Sequence, residues 1–249
     1  MELVGMNKPA DIAKSAPERW AIWERFRPVQ ENAEDWQTYC SFRGEASDTL
    51  SKRTRFLSLA QLVRRVAAAG IQGAVAECGC FTGHSTHVIA RTMTLCGIAS
   101  PLHVFDSFEG LSAPTNADMI TSDRHTNPSA VNTILRTTEK MFASDLSTTM
   151  ANLSEHKFIV FNPGWIPESF AGMEDEHYAF VHIDVDLYEP TRDCLDFFYP
   201  RLNRGGVIQI DDYNFMDWPG SQKAVDEFLA REKPSFFFEL PLGGAFMVK

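Results

Sequence analysis

The sequence predicts an α/β fold in which a mostly parallel, seven-stranded sheet is covered on both faces by helices. Short apolar runs alternate along the chain with stretches of helical apolar spacing, which is typical of parallel strands joined by crossover helices. Two of the apolar runs end in aspartate pairs, as expected where strands reach one edge of a sheet. The last two runs flank a turn and predict a hairpin that adds an antiparallel C-terminal edge strand.

The elements follow in a regular order. Residues 1–50 are polar and aromatic, and we interpret them as a helical or irregular arm packed on one compact domain, residues 51–249. The predicted helices are "SKRTRFLSLAQLVRRVAAAG", "HSTHVIARTMTLCG", a stretch near 128–151, "PTRDCLDFFYPRL" and "SQKAVDEFLAREK". The predicted strands are "GAVAECG", "LHVFDSF", "KFIVFN", "FVHIDVD", "GVIQIDD" and two in "FFFELPLGGAFMVK".

Composition excludes several classes of protein. Hydrophobic residues make up 44% of the 249 residues and charged residues 22%, which suits a chain with a well-filled core. The net charge of −10, without a basic stripe, argues against nucleic acid as a partner. No run is long enough to span a membrane, and the N-terminal stretch has no secretory pattern. The five cysteines show neither metal nor disulfide spacing, so we expect reduced thiols in a cytoplasmic protein.

The stretch "VAECGCFTGHST" turns from a strand into a helix through Gly79 and Gly83. Glycines allow close approach of a ligand to the backbone, and the helix N-terminus offers free N–H groups. The dinucleotide pattern G-x-G-x-x-G is absent, and the negative charge of Glu77 would repel a pyrophosphate. A cationic ligand such as S-adenosylmethionine suits Glu77 better, although a two-glycine turn is also common as a purely structural feature.

Asp106 ends the second predicted strand. An acid in this place can accept hydrogen bonds from both ribose hydroxyls of an adenosine. The alternative is an ordinary surface aspartate. Together with the glycine turn, Asp106 predicts an adenosine-binding site.

Asp184 and Asp186 follow one predicted core strand, and Asp211 and Asp212 follow the next. Four carboxylates at one edge would raise one another's pKa unless a cation lay among them. Magnesium, which prefers oxygen ligands, fits best; calcium or manganese also suits the site chemically, and zinc fits less well without His or Cys at suitable spacing. Helix capping, the structural alternative, explains one or two of the four acids. His182 precedes them and is interpreted as a core histidine or as a residue that supports the metal ligands.

The chain resembles the macrocin-type (TylF-like) O-methyltransferases, which methylate sugar hydroxyls of natural products. The resemblance covers about residues 49 to 228 and rests on "TLSKRTRFLSL", "VAECGCFTG", "VFDSFEGL", "PGWIPESF", "HIDVDLYEPTRDCLDFFYPRLNRGGVIQIDDY" and "PGSQKAVDEF". It implies a Rossmann-like class I methyltransferase fold, S-adenosylmethionine as cofactor and usually Mg²⁺. It also implies a sugar-containing small-molecule acceptor, either a glycosylated compound in natural product biosynthesis or a surface-polysaccharide sugar.

The resemblance assigns roles by position. For the cofactor it implies the glycine loop, the ribose contact and a closing segment, that is Glu77, Gly79, Phe81, Gly83, Ser85, Asp106, Ser107, Thr49 and Leu50. For the metal it implies Asp184, Asp211 and Asp212, with Asp184 or Asp186 as the catalytic base. If the strand stays extended, Asp186 points the same way as Asp184. Phe81 and Thr82 replace the Trp-Arg that is common in the family's loop, so the acceptor does not follow from the resemblance.

The long polar loop at residues 111–129 is placed to close over the site, with Arg124 and His125 within reach of an acceptor; a solvated loop is the alternative.

Two other functions stay open. Asp184-Val185-Asp186 is also a D-x-D motif, as in metal-dependent glycosyltransferases. A non-catalytic S-adenosylmethionine-binding module is the other. The aromatic arm also makes a homodimer possible.

Overall fold

The computed structural model describes residues 33–120, 128–215 and 217–249. In this part of the chain seven strands form one sheet in the order β3-β2-β1-β4-β5-β7-β6. They are β1 (Ala74–Cys78), β2 (Leu102–Asp106), β3 (Ile159–Pro163), β4 (Tyr178–Ile183), β5 (Leu202–Ile210), β6 (Phe236–Glu239) and β7 (Ala245–Val248). The predicted fold class is confirmed. One detail differs: β7, which is antiparallel to both of its neighbours, lies between β5 and β6, so β6 forms the edge.

Seven α-helices accompany these strands in the described residues. They are α1 (Ala33–Cys40), α2 (Leu50–Ala68), α3 (His84–Cys96), α4 (Pro128–Leu135), α5 (Leu146–Asn152), α6 (Tyr188–Arg201) and α7 (Pro219–Arg231). The helical stretch predicted near 128–151 is therefore two short helices. Residues 1–32 of the predicted arm, and Arg124 and His125 of the predicted lid, lie outside the described residues.

The sheet separates two hydrophobic layers. Every residue of β1 and β4 is buried, which explains why these runs are continuously apolar apart from functional side chains. One layer packs α6 and α7 on the sheet through residues such as Phe198 and Phe228. The other packs α2 and α3 through residues such as Leu59 and Ile89.

The described part of the N-terminal arm packs on α2 and α3. Asp35 of α1, which is almost fully buried, forms an ion pair with Arg64 of α2 at 2.7 Å. The Tyr39 ring lies 4.6 Å from the His84 ring of α3, centroid to centroid. This packing fixes the start of α2 beside the carboxyl ends of the strands.

The strand order determines where a site can form. β2 pairs with one side of β1, and β4 pairs with the other side. The order in which strands are added to the sheet therefore reverses at β1. Such switch points create a crevice at the carboxyl ends of parallel strands. None of the described helices is both long enough and apolar enough to cross a membrane.

Candidate active site

A cavity of about 640 Å³ lies at the carboxyl ends of β1, β2, β4 and β5. Most of the residues assigned from the sequence line it, namely Gly79, Phe81, Ser85, Asp106, Ser107, Asp184, Asp186, Asp211 and Asp212. Four others are not in its wall: Thr49, Leu50, Glu77 and Gly83. The two predicted groups of residues, glycine loop and acid pairs, therefore share one cavity.

Gly79 allows the ends of β1 and β4 to meet. It has a φ of 81°, and a Cβ atom placed on it would lie 1.8 Å from the carbonyl oxygen of Asp184. The adjacent backbone joins the two strands, since the Asp184 N–H donates to the Cys78 carbonyl at 2.8 Å. Only glycine fits here, and the glycine loop and Asp184 are held side by side as a result.

Asp106 holds the glycine loop in place. One carboxylate oxygen accepts hydrogen bonds from the backbone N–H groups of Cys80 and Phe81, at 2.7 and 3.2 Å. The other accepts from the Phe108 N–H at 2.7 Å. The oxygen that accepts from Phe108 keeps one further lone pair, which is compatible with a hydrogen bond from a ribose hydroxyl, and the predicted ribose contact stays a prediction.

Glu77 does not line the cavity, and its predicted contact with a cationic ligand stays a prediction. It is completely buried, and its two oxygens accept hydrogen bonds from Thr86 and from His182, the latter at 3.0 Å. His182 is also completely buried, and its other ring nitrogen lies 3.7 Å from Asp211. Burial by itself would lower the pKa of His182, but Asp211 and Glu77 raise it to about 10. Glu77 thus holds a charged histidine beneath the acid pairs.

Three carboxylates face one another within the cavity. Oxygens of Asp184, Asp186 and Asp212 all lie within 4.8 Å of one another. Burial raises the pKa of all three well above its ordinary value, and the neighbouring aspartates raise it further. The extended strand expected to align Asp184 with Asp186 ends at Ile183, and Asp186 has a φ of 58°. A turn, held by the Asp186 N–H bonded to Asp212 at 2.9 Å, brings the two acids together instead.

Asp211 has a different environment from these three acids. Arg55 of α2 approaches it at 2.7 Å, and the ion pair is close although its N–H is not aligned for a hydrogen bond. Burial would raise the pKa of Asp211, but Arg55 and His182 together hold it below its usual value. Its second oxygen is buried without a hydrogen-bond partner in the described part of the chain. Asp211 also lies within 4.8 Å of Asp184 as part of a group with His182, so the predicted ligand set stays a prediction.

Comparisons with known proteins relate this chain to a family of O-methyltransferases. The sequence profile of the macrocin O-methyltransferase (TylF) family matches residues 13–235. The chain belongs to the TylF family. The resemblance stated from the sequence is thereby confirmed.

Two relatives of this TylF-family chain have described activities. One, from Streptomyces olivaceus, is 8-demethyl-8-(2,3-dimethoxy-alpha-L-rhamnosyl)-tetracenomycin-C 4'-O-methyltransferase, 32% identical over 64% of this chain. The other, demethyldecarbamoylnovobiocin O-methyltransferase from Streptomyces niveus, is 26% identical over 71% of this chain. The matches span 60% and 66% of the relatives' own lengths.

Solved structures show the same fold. The O-methyltransferase NovP has a TM-score of 0.63 and 22% identity, covering 77% of this chain and 78% of NovP. The calicheamicin methyltransferase CalS11 has a TM-score of 0.65 and 18% identity, covering 98% of this chain and 94% of CalS11.

Sequence reasoning missed several residues of the TylF-family cavity. Lys52 and Arg55 enter it from the first turns of α2, where the side chain of Thr49 caps the helix by accepting from the Lys52 N–H at 3.2 Å. Further lining comes from loops after β3 and β5 and includes Trp165, Pro167 and Trp218. The spacing of Lys52 and Arg55, three apart on a helix, was a usable signal, since such residues share one face.

Proposed function

We propose that this protein transfers a methyl group from S-adenosylmethionine to a hydroxyl of a sugar-containing small molecule, and that a divalent cation held by the strand-end aspartates assists. One observation supports the proposal most strongly: a single cavity joins the glycine loop, fixed by Asp106, to four aspartates at the ends of β4 and β5. Membership of the TylF family and the sugar-modifying activities named for two relatives support it further.

The chemistry of the site suits a divalent cation such as Mg²⁺. Asp184, Asp186 and Asp212 present oxygens close enough to share one ion. Their negative charges repel one another, and a cation among them would compensate this repulsion. Asp211, which pairs with Arg55 and faces His182, lies within 4.8 Å of Asp184. When bound, such an ion lowers the pKa of an alcohol that contacts it. Arg55 supplies part of the positive charge from the protein itself.

The proton of the acceptor hydroxyl needs a base in the same cavity. Asp184 and Asp186 are the two candidates, because both line the cavity. A carboxylate within hydrogen-bond reach of the acceptor hydroxyl can take its proton. His182, held between Glu77 and Asp211, fixes the orientation of Asp211 from below.

The outer part of the cavity is aromatic. The Phe81 ring lies 5.7 Å from Phe142, which lies 6.3 Å from Trp218. Phe81 and Phe142 are each 43% exposed. We assign this aromatic wall to the acceptor, because a flat apolar group attached to a sugar would cover these rings from water.

Lys52 and Arg55 bear on the glycosyltransferase alternative, because they would allow a diphosphate at the D-x-D motif. Family membership favours methyl transfer. Thermal-shift measurements separate the two. We expect S-adenosylhomocysteine to raise the melting temperature and sugar nucleotides to leave it unchanged; the reverse result would contradict the proposal.

Mutation of one acid tests the metal requirement. In a methyl-transfer assay with rhamnosylated aromatic acceptors, Asp212→Asn should lower turnover more than about a hundredfold and abolish the dependence on added Mg²⁺. Asp217→Asn, the same change on an exposed residue five positions along, is the control. Cofactor binding without any methyl transfer by the wild type would favour the non-catalytic module. Equal turnover in both variants would refute the metal site.

A further inference from the structure

A second cluster of metal-ligating side chains lies outside the cavity. It consists of His87 on α3 and of Glu155 and His156 in the turn between α5 and β3. None of the three lines the cavity. We propose that these residues form a binding site for a zinc-type divalent transition-metal ion. This inference is independent of the proposed methyl transfer.

The three ligand atoms have the spacing of a tetrahedral site. His87 Nδ1 lies 3.2 Å from His156 Nε2, and Glu155 Oε1 lies 3.6 and 3.7 Å from these two nitrogens. Bonds of about 2.0–2.1 Å from a tetrahedral zinc place ligand atoms about 3.4 Å apart. The carboxylate is too far for a hydrogen bond to either ring, and a bound metal would replace the hydrogen bond between the two rings.

Hydrogen bonds fix which nitrogen of His87 is free. The Ser41 hydroxyl donates its proton to the Thr38 carbonyl at 2.8 Å. Its oxygen therefore accepts from His87 Nε2–H, at 2.9 Å. His87 Nδ1 then carries a lone pair, which accepts a hydrogen bond from His156 Nε2–H at 3.2 Å when no metal is bound. Histidines that bind metals commonly donate their other N–H in this way.

The backbone and the surroundings also suit a metal site. His156 is held in its turn by its N–H, which donates to the Leu153 carbonyl at 2.9 Å. Both rings are almost fully buried, whereas the Glu155 side chain is 59% exposed and gives an ion access from solvent. Two imidazoles with one carboxylate favour zinc-type ions over magnesium.

An ion here would connect three elements. Through His87 it would hold α3, which begins at the glycine loop, and through Glu155 and His156 it would hold the turn before β3. Through Ser41 it would also stabilise the end of α1. The expected role is therefore structural, and bound metal should raise the melting temperature.

Cobalt spectroscopy on the full chain tests the site, because tetrahedral Co²⁺ absorbs strongly in the visible. Chelator-treated wild type should bind one Co²⁺ with this absorption, and Zn²⁺ should displace it and raise the melting temperature. Glu155→Gln changes an exposed side chain and should fold normally, but its Zn²⁺ affinity should fall more than about tenfold, because outer-shell changes already cost that much. Ser41→Ala should weaken binding less.

Two controls separate this site from the aspartates of the cavity. The cobalt absorption should persist in Asp212→Asn and in Glu139→Gln, which changes a distant exposed carboxylate. The proposal is overturned if the wild type shows no tetrahedral cobalt absorption, if Glu155→Gln binds as tightly as the wild type, or if the absorption disappears in Asp212→Asn.

Discussion

At the scale of single residues, protonated His182 supplies positive charge next to the buried acids Glu77 and Asp211. It stands between Glu77 and Asp211 with no exposed surface. A protonated imidazole there compensates two buried carboxylates, each of which would be costly alone. Its raised pKa is thus a consequence of the two acids and also a condition for keeping them charged.

Replacing His182 should therefore destabilise the protein strongly. In chelator-treated His182→Leu, we expect the free energy of unfolding to fall by about 3–5 kcal/mol at pH 7, because buried Glu77 loses the cation that it contacts, while Asp211 still has Arg55. The folded pKa, about 10, lies above the unfolded value, so the stabilisation is full below about pH 6.5 and is lost as the pH rises through 10. Urea denaturation at pH 6 and pH 10 measures this.

The difference between wild type and His182→Leu should thus shrink at high pH. His177→Leu, which changes an exposed histidine, is the matched control. A difference that did not depend on pH would show that His182 is neutral in the folded protein.

Asp106 has a similar importance for the glycine loop. Asp106→Ala removes the acceptor for three backbone N–H groups, those of Cys80, Phe81 and Phe108. We expect a loss of about 2 kcal/mol in stability and at least a tenfold loss in S-adenosylhomocysteine affinity by calorimetry. Asp145→Ala, which removes a comparable acceptor at the start of α5, should leave that affinity unchanged. Equal affinity in Asp106→Ala would refute this role.

At the scale of elements, the approach of β1 to β4 creates the site. Gly79→Ala would place a methyl group against the Asp184 carbonyl and would push the two strand ends apart. We expect a loss of more than about 3 kcal/mol in stability, together with loss of cofactor binding, since strain at positive φ adds to the clash.

Gly97→Ala provides the matched control for this change. Gly97 ends α3 with a φ of 69°, and a Cβ there would meet nothing within 4 Å. Its cost should be about 1–2 kcal/mol, the cost of the left-handed conformation alone. Thermal melts of both variants give the difference; equal losses would mean that the β1–β4 contact tolerates a methyl group.

At the scale of the whole molecule, an aromatic cluster joins α1, α2 and α3. His84 lies among Tyr39, Phe42 and Phe56, and its Nε2 bonds to the Tyr39 carbonyl at 2.9 Å. Burial, assisted by Lys52, lowers the pKa of His84 to about 4. The cluster therefore holds a neutral histidine at neutral pH.

This cluster should make the fold sensitive to acid. Because the folded pKa lies below the unfolded value, the unfolded chain takes up a proton between about pH 6.5 and 4 that the folded protein does not. Stability therefore falls as the pH falls, by about 2 kcal/mol from this residue at pH 5. Denaturation at pH 7.5 and pH 5 should show a smaller loss for His84→Phe. Parallel losses in both proteins would contradict the assignment.

The α/β fold, the order of the strands along the chain and the shared position of glycine loop and acids were all predictable from the sequence, although β4 ends at Ile183 and not at Asp186. Apolar periodicity and the rule for carboxyl strand ends depend only on local pattern. The contact between buried Glu77 and His182 was not predictable, because the sequence does not show that these positions of β1 and β4 lie side by side. Lys52 and Arg55 were missed because their role requires α2 to pack beside β5.

The sequence by itself determined which elements form, their parallel arrangement and the family, because these depend on periodicity and on motifs that are contiguous in the chain. Only the tertiary structure decided which acids face one another, which is paired with Arg55, and that His87 meets Glu155 and His156. Those outcomes depend on distances of a few ångströms between segments remote in sequence. Packing of the whole sheet and its helices fixes such distances, and no local pattern contains them.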